Sequence, residues 1–214
     1  MTMKLYLNDT SPFSRVVLAT ALLCDCRQLT LEWVDPWQSP ETLRRVNPFC
    51  MIPTLELEEG TALTESLSIC QYLIQTSHTK RLRDVDHQHS GEMMNMGLAK
   101  TMMESAFRSV ALGRFVDAEN ELSQRSKIGL QHALIKLENE LATPRHSLYL
   151  LPNLATLYLH VALDYVKFRH QEIFRDVAGK QIEVFLHDSP FATLLAQINV
   201  DALSSKPNFT ELFA

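Results

Sequence analysis

The sequence predicts an α/β domain followed by an all-α domain. Strand patterns are confined to the first eighty or so of its 214 residues, where they alternate with helical patterns. Only helical patterns follow them. Glycine is also rare, with six residues in the chain, about 3% against a usual share of about 7%. Because glycine supplies the turns that require positive φ, its scarcity favours a helix-rich chain.

The first eighty residues predict four strands and three helices. In chain order these are a strand at 4–7, a helix opening at Ser11 and Pro12, a strand at 29–34, a short helix in SPETLRRV, strands in IPTLEL and ELEEGTALTE, and a helix in ESLSICQYLIQ. Ser11 stands at an N-cap position and Pro12 at the first helical position, an arrangement that favours a helix start. Gly60 supplies the turn between the last two strands. This order is typical of one sheet covered by helices.

A polar segment separates the two predicted domains. Residues 76–91 almost lack large apolar side chains, as a linker does. The helical patterns beyond it lie at 92–116, 119–141, in NLATLYLHVALDYVKF, at 173–187 and at 191–197. The third is apolar nearly all the way round and predicts a buried central helix. We therefore predict a first domain at 1–78, a linker at 79–90 and a helical domain at 91–214.

Composition excludes several classes of function. The net charge of −5 argues against a nucleic-acid partner and against an anionic membrane surface. The glycines are too scattered for a dinucleotide fingerprint or a phosphate-binding loop. The longest apolar run, at 16–24, is too short to span a bilayer, and the amino-terminal residues lack the core of a secretory signal. Four cysteines without C-x-x-C spacing predict no disulfide framework, so we expect a reducing cytoplasm and no metal.

Three segments of the first domain carry a family resemblance. They are SPFSRVV, NPFCMIPTL and the TES triplet that opens the third helix. In this order and spacing they resemble the glutathione S-transferase family. The resemblance implies a thioredoxin-like N-terminal domain, an all-α C-terminal domain and a cytoplasmic homodimer. It also implies a detoxifying transferase, with glutathione as co-substrate and a small hydrophobic electrophile as the second substrate.

Ser11 is the candidate catalytic residue. A helix N-terminus stabilises an anion, and a hydroxyl at that position can donate to a thiolate. By the resemblance, Ser11 activates the glutathione sulfur, as in the serine-type members of the family. The alternative is that Ser11 only caps the helix. Tyr6, on the preceding strand, is expected to face away from this site because side chains alternate along a strand.

Two further segments imply glutathione contacts. The resemblance predicts a cis bond between Ile52 and Pro53, with the Ile52 backbone pairing with the peptide like an added strand. It also predicts that Glu65 and Ser66 hold the ammonium and carboxylate of the γ-glutamyl group. The alternatives are an ordinary strand-entry proline and an acidic residue that favours the helix dipole.

The loop before Pro53 departs from the family pattern. Many members carry Lys, His or Gln there to meet the glycyl carboxylate of glutathione, whereas this chain has Cys50 and Met51. Gln38, or a residue elsewhere, would have to replace that contact. Cys50 is also a candidate for a part in the chemistry, although a cysteine is more often a small buried apolar residue.

The electrophile site is expected on the first long helix of the second domain. By the resemblance, Phe13, Met102 and Met103 would form its apolar wall. The methionines have an equally good alternative role in core packing, because thioethers fill irregular spaces. The alternative function is a non-catalytic, glutathione-transferase-like regulator or protein-binding protein of the stringent starvation type. Ser11, Pro53, Glu65 and Ser66 together favour the enzyme.

Overall fold

The computed structural model describes residues 3–58, 60–116 and 120–213. The chain divides into two compact units. The first contains the residues up to Asp84 together with those from Thr193 onwards, and the second is Val85–Ala192. An α/β part followed by a helical part is confirmed, but the C-terminal residues belong with the first unit, outside the domain boundaries predicted from the sequence.

The first unit begins with the predicted alternation of strands and helices. Its elements are β1 (Met3–Leu7), α1 (Pro12–Leu23), β2 (Leu29–Trp33), a 3-10 turn (Pro36–Gln38), α2 (Glu41–Val46), β3 (Thr54–Leu57), β4 (Ala62–Thr64) and α3 (Ser66–Thr76). The strands form one sheet in the order β2-β1-β3-β4. Strand β2 runs parallel to β1, whereas the β1–β3 and β3–β4 pairs are antiparallel.

The core of this unit lies between the sheet and its helices. Leu5 and Leu7 of β1 are fully buried. Helix α1 is apolar along most of its length and packs against α3, and ten of its twelve residues are buried. A helix apolar on nearly every face must be covered on nearly every face. The position of its N-terminus is therefore fixed by the core.

The C-terminal segment completes the first unit. It contains α10 (Ala192–Gln197), α11 (Val200–Leu203) and a 3-10 turn (Phe209–Phe213). The indole nitrogen of Trp33 donates to the Pro207 carbonyl at 3.2 Å, which ties this segment to β2. Arg15 of α1 binds two carbonyl groups of the same segment.

The second unit is helical. Its helices are α4 (Ser90–Leu112), α5 (Glu121–Leu141), α6 (His146–Tyr149), α7 (Leu154–Arg169), α8 (Gln171–Val177) and α9 (Lys180–Asp188). As predicted, α7 is buried along most of its length, and α4 packs along it. The start of α5 predicted at Glu119 lies outside the described residues.

The single helix predicted at 173–187 is wrong, because α8 and α9 are separate. Ala178 between them is extended, and Gly179 is the N-cap of α9. The carboxylate of Glu138 on α5 accepts the N–H groups of Gln181 and Ile182, both at 2.9 Å. Because the start of α9 is held by a residue of α5, the hydrophobic periodicity of 173–187 does not reveal the break. Within the described ranges, no helix is both long enough and apolar enough to cross a membrane.

Candidate functional site

The N-terminus of α1 is built by two successive side chain–backbone hydrogen bonds. The backbone N–H of Ser11 donates to Asn8 Oδ1 at 2.8 Å, and the N–H of Ser14 donates to Ser11 Oγ at 3.2 Å. Ser11 is thus a helix cap, with extended backbone angles of φ −76° and ψ 120°. The cap uses the oxygen of Ser11 as an acceptor, which leaves its O–H able to donate. Capping and donation to an anion are compatible roles for this hydroxyl.

The loop at 47–54 is organised by a buried asparagine. Asn47, 1% exposed, donates from Nδ2 to the Met51 carbonyl and to Thr54 Oγ1, each at 3.0 Å. Its Oδ1 accepts the Phe49 N–H at 3.0 Å, and Thr54 Oγ1 donates to the Met51 carbonyl at 2.8 Å. These four bonds fix the backbone on either side of Cys50. The Ile52–Pro53 peptide bond in this loop is cis, as predicted.

Helix α3 begins at a strained residue. Glu65 adopts a φ of 72°, which residues other than glycine rarely do. Its Oε2 accepts the Leu67 N–H at 3.1 Å, and the buried Ser66 hydroxyl donates to its Oε1 at 3.5 Å. Backbone strain of this kind is concentrated at functional sites. Through these two hydrogen bonds, the Glu65 carboxylate, the Ser66 hydroxyl and the first turn of α3 form one polar group.

Strand register brings these segments to one edge of the sheet. In the ladder, Trp33 is opposite Leu7, Thr54 is opposite Tyr6, and Thr64 is opposite Thr54. The ends of β1, β2 and β4 lead into the N-terminus of α1, the 3-10 turn and the N-terminus of α3, and the cis-proline loop leads into the start of β3. Ser11, Gln38, Ile52 with Pro53, and Glu65 with Ser66 all stand within a few residues of that edge.

Burial differs among the residues at this edge. Pro53 and Ser66 are buried, Ser11 and Ile52 are half-buried, and Gln38 and Glu65 are exposed. Ser11, Gln38, Ile52 and Glu65 therefore have side-chain surface that a ligand can reach directly. Gln38 ends the 3-10 turn that follows β2.

Tyr6 does not point toward Ser11. Its side chain is buried, and its hydroxyl donates to Glu56 Oε2 at 2.8 Å on the neighbouring strand. Burial, together with the Glu56 carboxylate, raises the pKa of Tyr6 to about 12. The phenol is therefore a firmly neutral structural donor, in agreement with the expected alternation along β1.

The loop before Pro53 has no cationic side chain between Asn47 and Pro53. Cys50 is half-buried with a φ of 50°, while Phe49 and Met51 are 74% and 59% exposed. None of the four cysteines, all of which lie in the described ranges, forms a disulfide bond. In the described part of the chain, no three His, Cys, Asp or Glu side chains are grouped so as to hold a metal ion.

The residues predicted to contact the electrophile lie in different units. Phe13 is a half-buried residue of α1, whereas Met102 and Met103 belong to α4 and are 2% and 0% exposed. Such burial favours the core-packing alternative for the two methionines. Their contact with a second substrate stays a prediction.

Sequence reasoning missed Asn8, Asn47 and Thr54. Asn8 was detectable as a turn residue, because asparagine between a strand and a helix start is typical of a turn. Asn47 precedes a proline, as many loop asparagines do. Only the fold shows that its amide is buried and fully used.

Part of the first unit is similar to a known protein family. Residues 10–76 match the family model described as glutathione S-transferase, N-terminal domain. No significant match was found among curated protein sequences.

Three solved structures illustrate the similarity of fold. A glutathione transferase family member from Pseudomonas fluorescens Pf-5, with bound glutathione, is 21% identical with a TM-score of 0.73, covering 96% of this chain and 99% of that one. A glutathione S-transferase from Methylobacillus flagellatus KT, with bound glutathione, is 21% identical with a TM-score of 0.69, covering 91% and 95%. A delta-class glutathione transferase from Nilaparvata lugens is 18% identical with a TM-score of 0.69, covering 99% and 98%.

The family model covers the segment from Thr10 to Thr76, which contains Ser11, the cis-proline loop and the start of α3. The structural matches extend over nearly the whole chain at identities too low to show more than the fold. The chain therefore carries an N-terminal domain of the glutathione S-transferase family, and as a whole it has the glutathione transferase fold.

Proposed function

We propose that this chain is a glutathione transferase that activates the thiol of glutathione for attack on a small apolar electrophile. The observation that carries the proposal is the convergence of Ser11, the Ile52–Pro53 loop and the Glu65–Ser66 pair at one sheet edge. The Pseudomonas fluorescens and Methylobacillus flagellatus proteins of the same fold have glutathione bound, which supports glutathione as the proposed ligand.

Glutathione would be held by groups on three segments. The backbone of Ile52 would pair with the peptide backbone of the ligand, since extended peptides bind by adding to strands. Glu65, Ser66 and the first turn of α3 would bind the γ-glutamyl group, the carboxylate of Glu65 meeting its ammonium. Gln38 is the proposed amide contact for the glycyl end.

Ser11 would lower the pKa of the bound thiol. A free thiol with a pKa of about 8.5 is only about 3% thiolate at pH 7. Lowering that pKa by about two units requires about 2.7 kcal/mol of differential stabilisation. A hydrogen bond to a charged group contributes about 1.5–3 kcal/mol, and the helix N-terminus adds to it. These two contributions together would be large enough for such a shift.

In the reaction, the thiol proton leaves to solvent and the sulfur lone pair forms a bond to the electrophilic carbon. The leaving group departs with its electron pair, or a conjugated acceptor takes up the charge and is protonated. Phe13, Met102 and Met103 are the proposed apolar contacts of this second substrate. We also propose a homodimer in the cytoplasm, where the four cysteines would stay reduced.

Two measurements test the proposal. The protein should be retained on immobilised glutathione and released by free glutathione. The Ser11→Ala variant should lose most of its turnover of a generic aromatic electrophile at neutral pH and regain part of it at alkaline pH. The matched control, Ser68→Ala, removes an exposed hydroxyl from α3 and should leave turnover unchanged.

Other results would redirect the proposal. A wild-type chain that does not bind glutathione at any pH between 6 and 9 would favour the non-catalytic regulator. Full neutral-pH turnover by Ser11→Ala would show that Ser11 is only a cap. A stable monomer in sedimentation at micromolar concentration would contradict the homodimer.

A further inference from the structure

We infer that Asn8 is a positioning residue for Ser11, and that it must carry an uncharged oxygen acceptor for the thiol chemistry to operate at neutral pH. This inference rests on the proposed function and adds to it a residue outside the matched motifs. Asn8 would act through Ser11, without touching the reacting atoms.

The first step is the order of the two hydrogen bonds. Asn8 follows directly after Leu7, the last residue of β1. Its Oδ1 accepts the Ser11 N–H at 2.8 Å, and Ser11 Oγ in turn accepts the Ser14 N–H at 3.2 Å. The first bond fixes the backbone of Ser11 and the second fixes its oxygen. The O–H of Ser11 is not used by either bond and can donate to a bound sulfur.

The second step concerns the choice of asparagine. Aspartate would accept the same hydrogen bond, and a negative charge before a helix N-terminus is favoured by the helix dipole. Aspartate at position 8 would therefore stabilise the start of the helix at least as well as asparagine does. A carboxylate there would lie two hydrogen bonds from the thiolate, and like charges at such range raise the pKa of an acid. The amide accepts the bond without adding that charge.

The third step concerns the other charges around the site. Within the connecting segments 8–15, 33–38, 47–54 and 64–67, the titratable or charged groups are Asp9, Arg15, Asp35, Cys50 and Glu65; Tyr6, Glu32, Glu56 and the charged residues of α2 lie on the adjoining elements. All of them remain unchanged when position 8 alone is varied. A difference in thiol pKa between two variants at position 8 therefore reports the charge and the acceptor at that position.

Three variants separate the acceptor from the charge. Asn8→Ser keeps a neutral oxygen, Asn8→Asp keeps the acceptor but adds a charge, and Asn8→Leu removes the acceptor. The matched control is Asn120→Asp, because Asn120 caps α5 in the second unit with an Oδ1 that accepts the Ser123 N–H at 3.0 Å. It adds the same charge at a helix start that has no part in the proposed site.

The readouts are the thermal midpoint, the thiolate absorbance of bound glutathione against pH, and turnover against pH. We expect Asn8→Asp to unfold at the same temperature as wild type, to raise the bound thiol pKa by about one unit and to lose about three- to tenfold in neutral-pH turnover. Turnover should recover at alkaline pH. Asn8→Ser and Asn120→Asp should follow the wild-type profile, and Asn8→Leu should raise the thiol pKa.

A wild-type thiol pKa in Asn8→Asp would overturn the inference and leave Asn8 as a turn residue only. Should Asn8→Asp not fold, equal thiol pKa values in Asn8→Ser and Asn8→Leu would overturn it, and a higher value in Asn8→Leu would support it. Failure of the proposed function gives a different result: wild type itself would bind no glutathione or would leave its thiol pKa near 8.5.

Discussion

The guanidinium of Arg15 donates from Nη2 to the carbonyl oxygen of Leu195 at 2.6 Å. Its Nε donates to the Ile198 carbonyl at 3.0 Å, and the side chain is buried. Leu195 lies in the last turn of α10, where carbonyl groups have no partner within the helix. A buried cation thus satisfies the negative end of α10 and fastens the C-terminal segment to α1, the helix that begins beside Ser11.

Replacing Arg15 with methionine should lower the stability of the chain. The variant keeps most of the apolar stem but removes the bonds to two buried carbonyl groups. Hydrogen bonds to a charged group contribute about 1.5–3 kcal/mol, so we expect the free energy of unfolding to fall by about 2–4 kcal/mol in urea titrations. Arg81→Met is the matched control, because exposed Arg81 also donates to a backbone carbonyl, that of Leu22 at 3.1 Å. Equal losses in both variants would contradict the role given to Arg15.

The Arg15 contact also shows why the domain boundaries were only partly predictable. Strand and helix periods are local, so they predict the sheet, α1 and the buried α7 from the sequence. Arg15 and Leu195 are 180 positions apart, and no local pattern records that distance. The sequence of the C-terminal segment is helical, which gave no reason to place it with the α/β unit.

Residues of the candidate site divide in the same way. Ser11, Pro53 and Glu65 follow recognisable local rules for helix starts and strand entry, and their resemblance to a family adds their order. Asn47 and Thr54 act by bonding to each other across a loop, which requires the folded backbone. The break between α8 and α9 depends likewise on Glu138 from α5.

Gly179 should not tolerate a side chain while Glu138 is present. A Cβ atom at Gly179 would clash with Glu138 Oε1, so alanine must displace the carboxylate that caps α9. We expect Gly179→Ala to lower the free energy of unfolding by about 1–3 kcal/mol, the cost of leaving buried donors without their partner. Denaturant titration measures this change.

A double-mutant cycle supplies the control for Gly179. In a Glu138→Ala background the clash is gone, and the cap has already been lost. Gly179→Ala should then cost less than about 0.5 kcal/mol, which gives a coupling energy of about 1–2 kcal/mol between the two sites. Additive losses would show that Glu138 is not the group that excludes a side chain at Gly179.

The lowered pKa of His170 should make the free energy of unfolding fall in mild acid. Its Nε2 lies 3.0 Å from the Ala106 carbonyl, and burial lowers its pKa against the effect of that hydrogen bond, with Lys127 and Arg169 adding to the lowering. Because the folded pKa lies below the ordinary 6.5, the unfolded chain binds a proton first as pH falls. Its stabilising contribution is present above pH 6.5 and is lost progressively below it.

The variant His170→Gln tests this dependence. Glutamine can donate to the Ala106 carbonyl but does not titrate, so its thermal midpoint should fall less than that of wild type between pH 7 and pH 5. His132→Gln, at an exposed position of α5, is the control and should parallel wild type. Parallel curves for His170→Gln and wild type over that range would refute the assignment.

Asn47 should control affinity for glutathione separately from activation of its thiol. Asn47→Ala removes partners from the Met51 carbonyl, Thr54 Oγ1 and the Phe49 N–H, so the loop that carries Ile52 loses its fixed shape. Because buried polar groups are left unpaired, we expect the free energy of unfolding to fall by about 2–3 kcal/mol. Glutathione affinity should fall about tenfold or more. The pKa of the thiol, once bound, should stay at its wild-type value, since Ser11 stands on another segment.

The matched control for this prediction is Asn199→Ala, which removes a comparable cap bond from α11 and should reduce stability alone. Calorimetric titration with glutathione decides between these outcomes, and unchanged affinity in Asn47→Ala would show that loop geometry does not set binding.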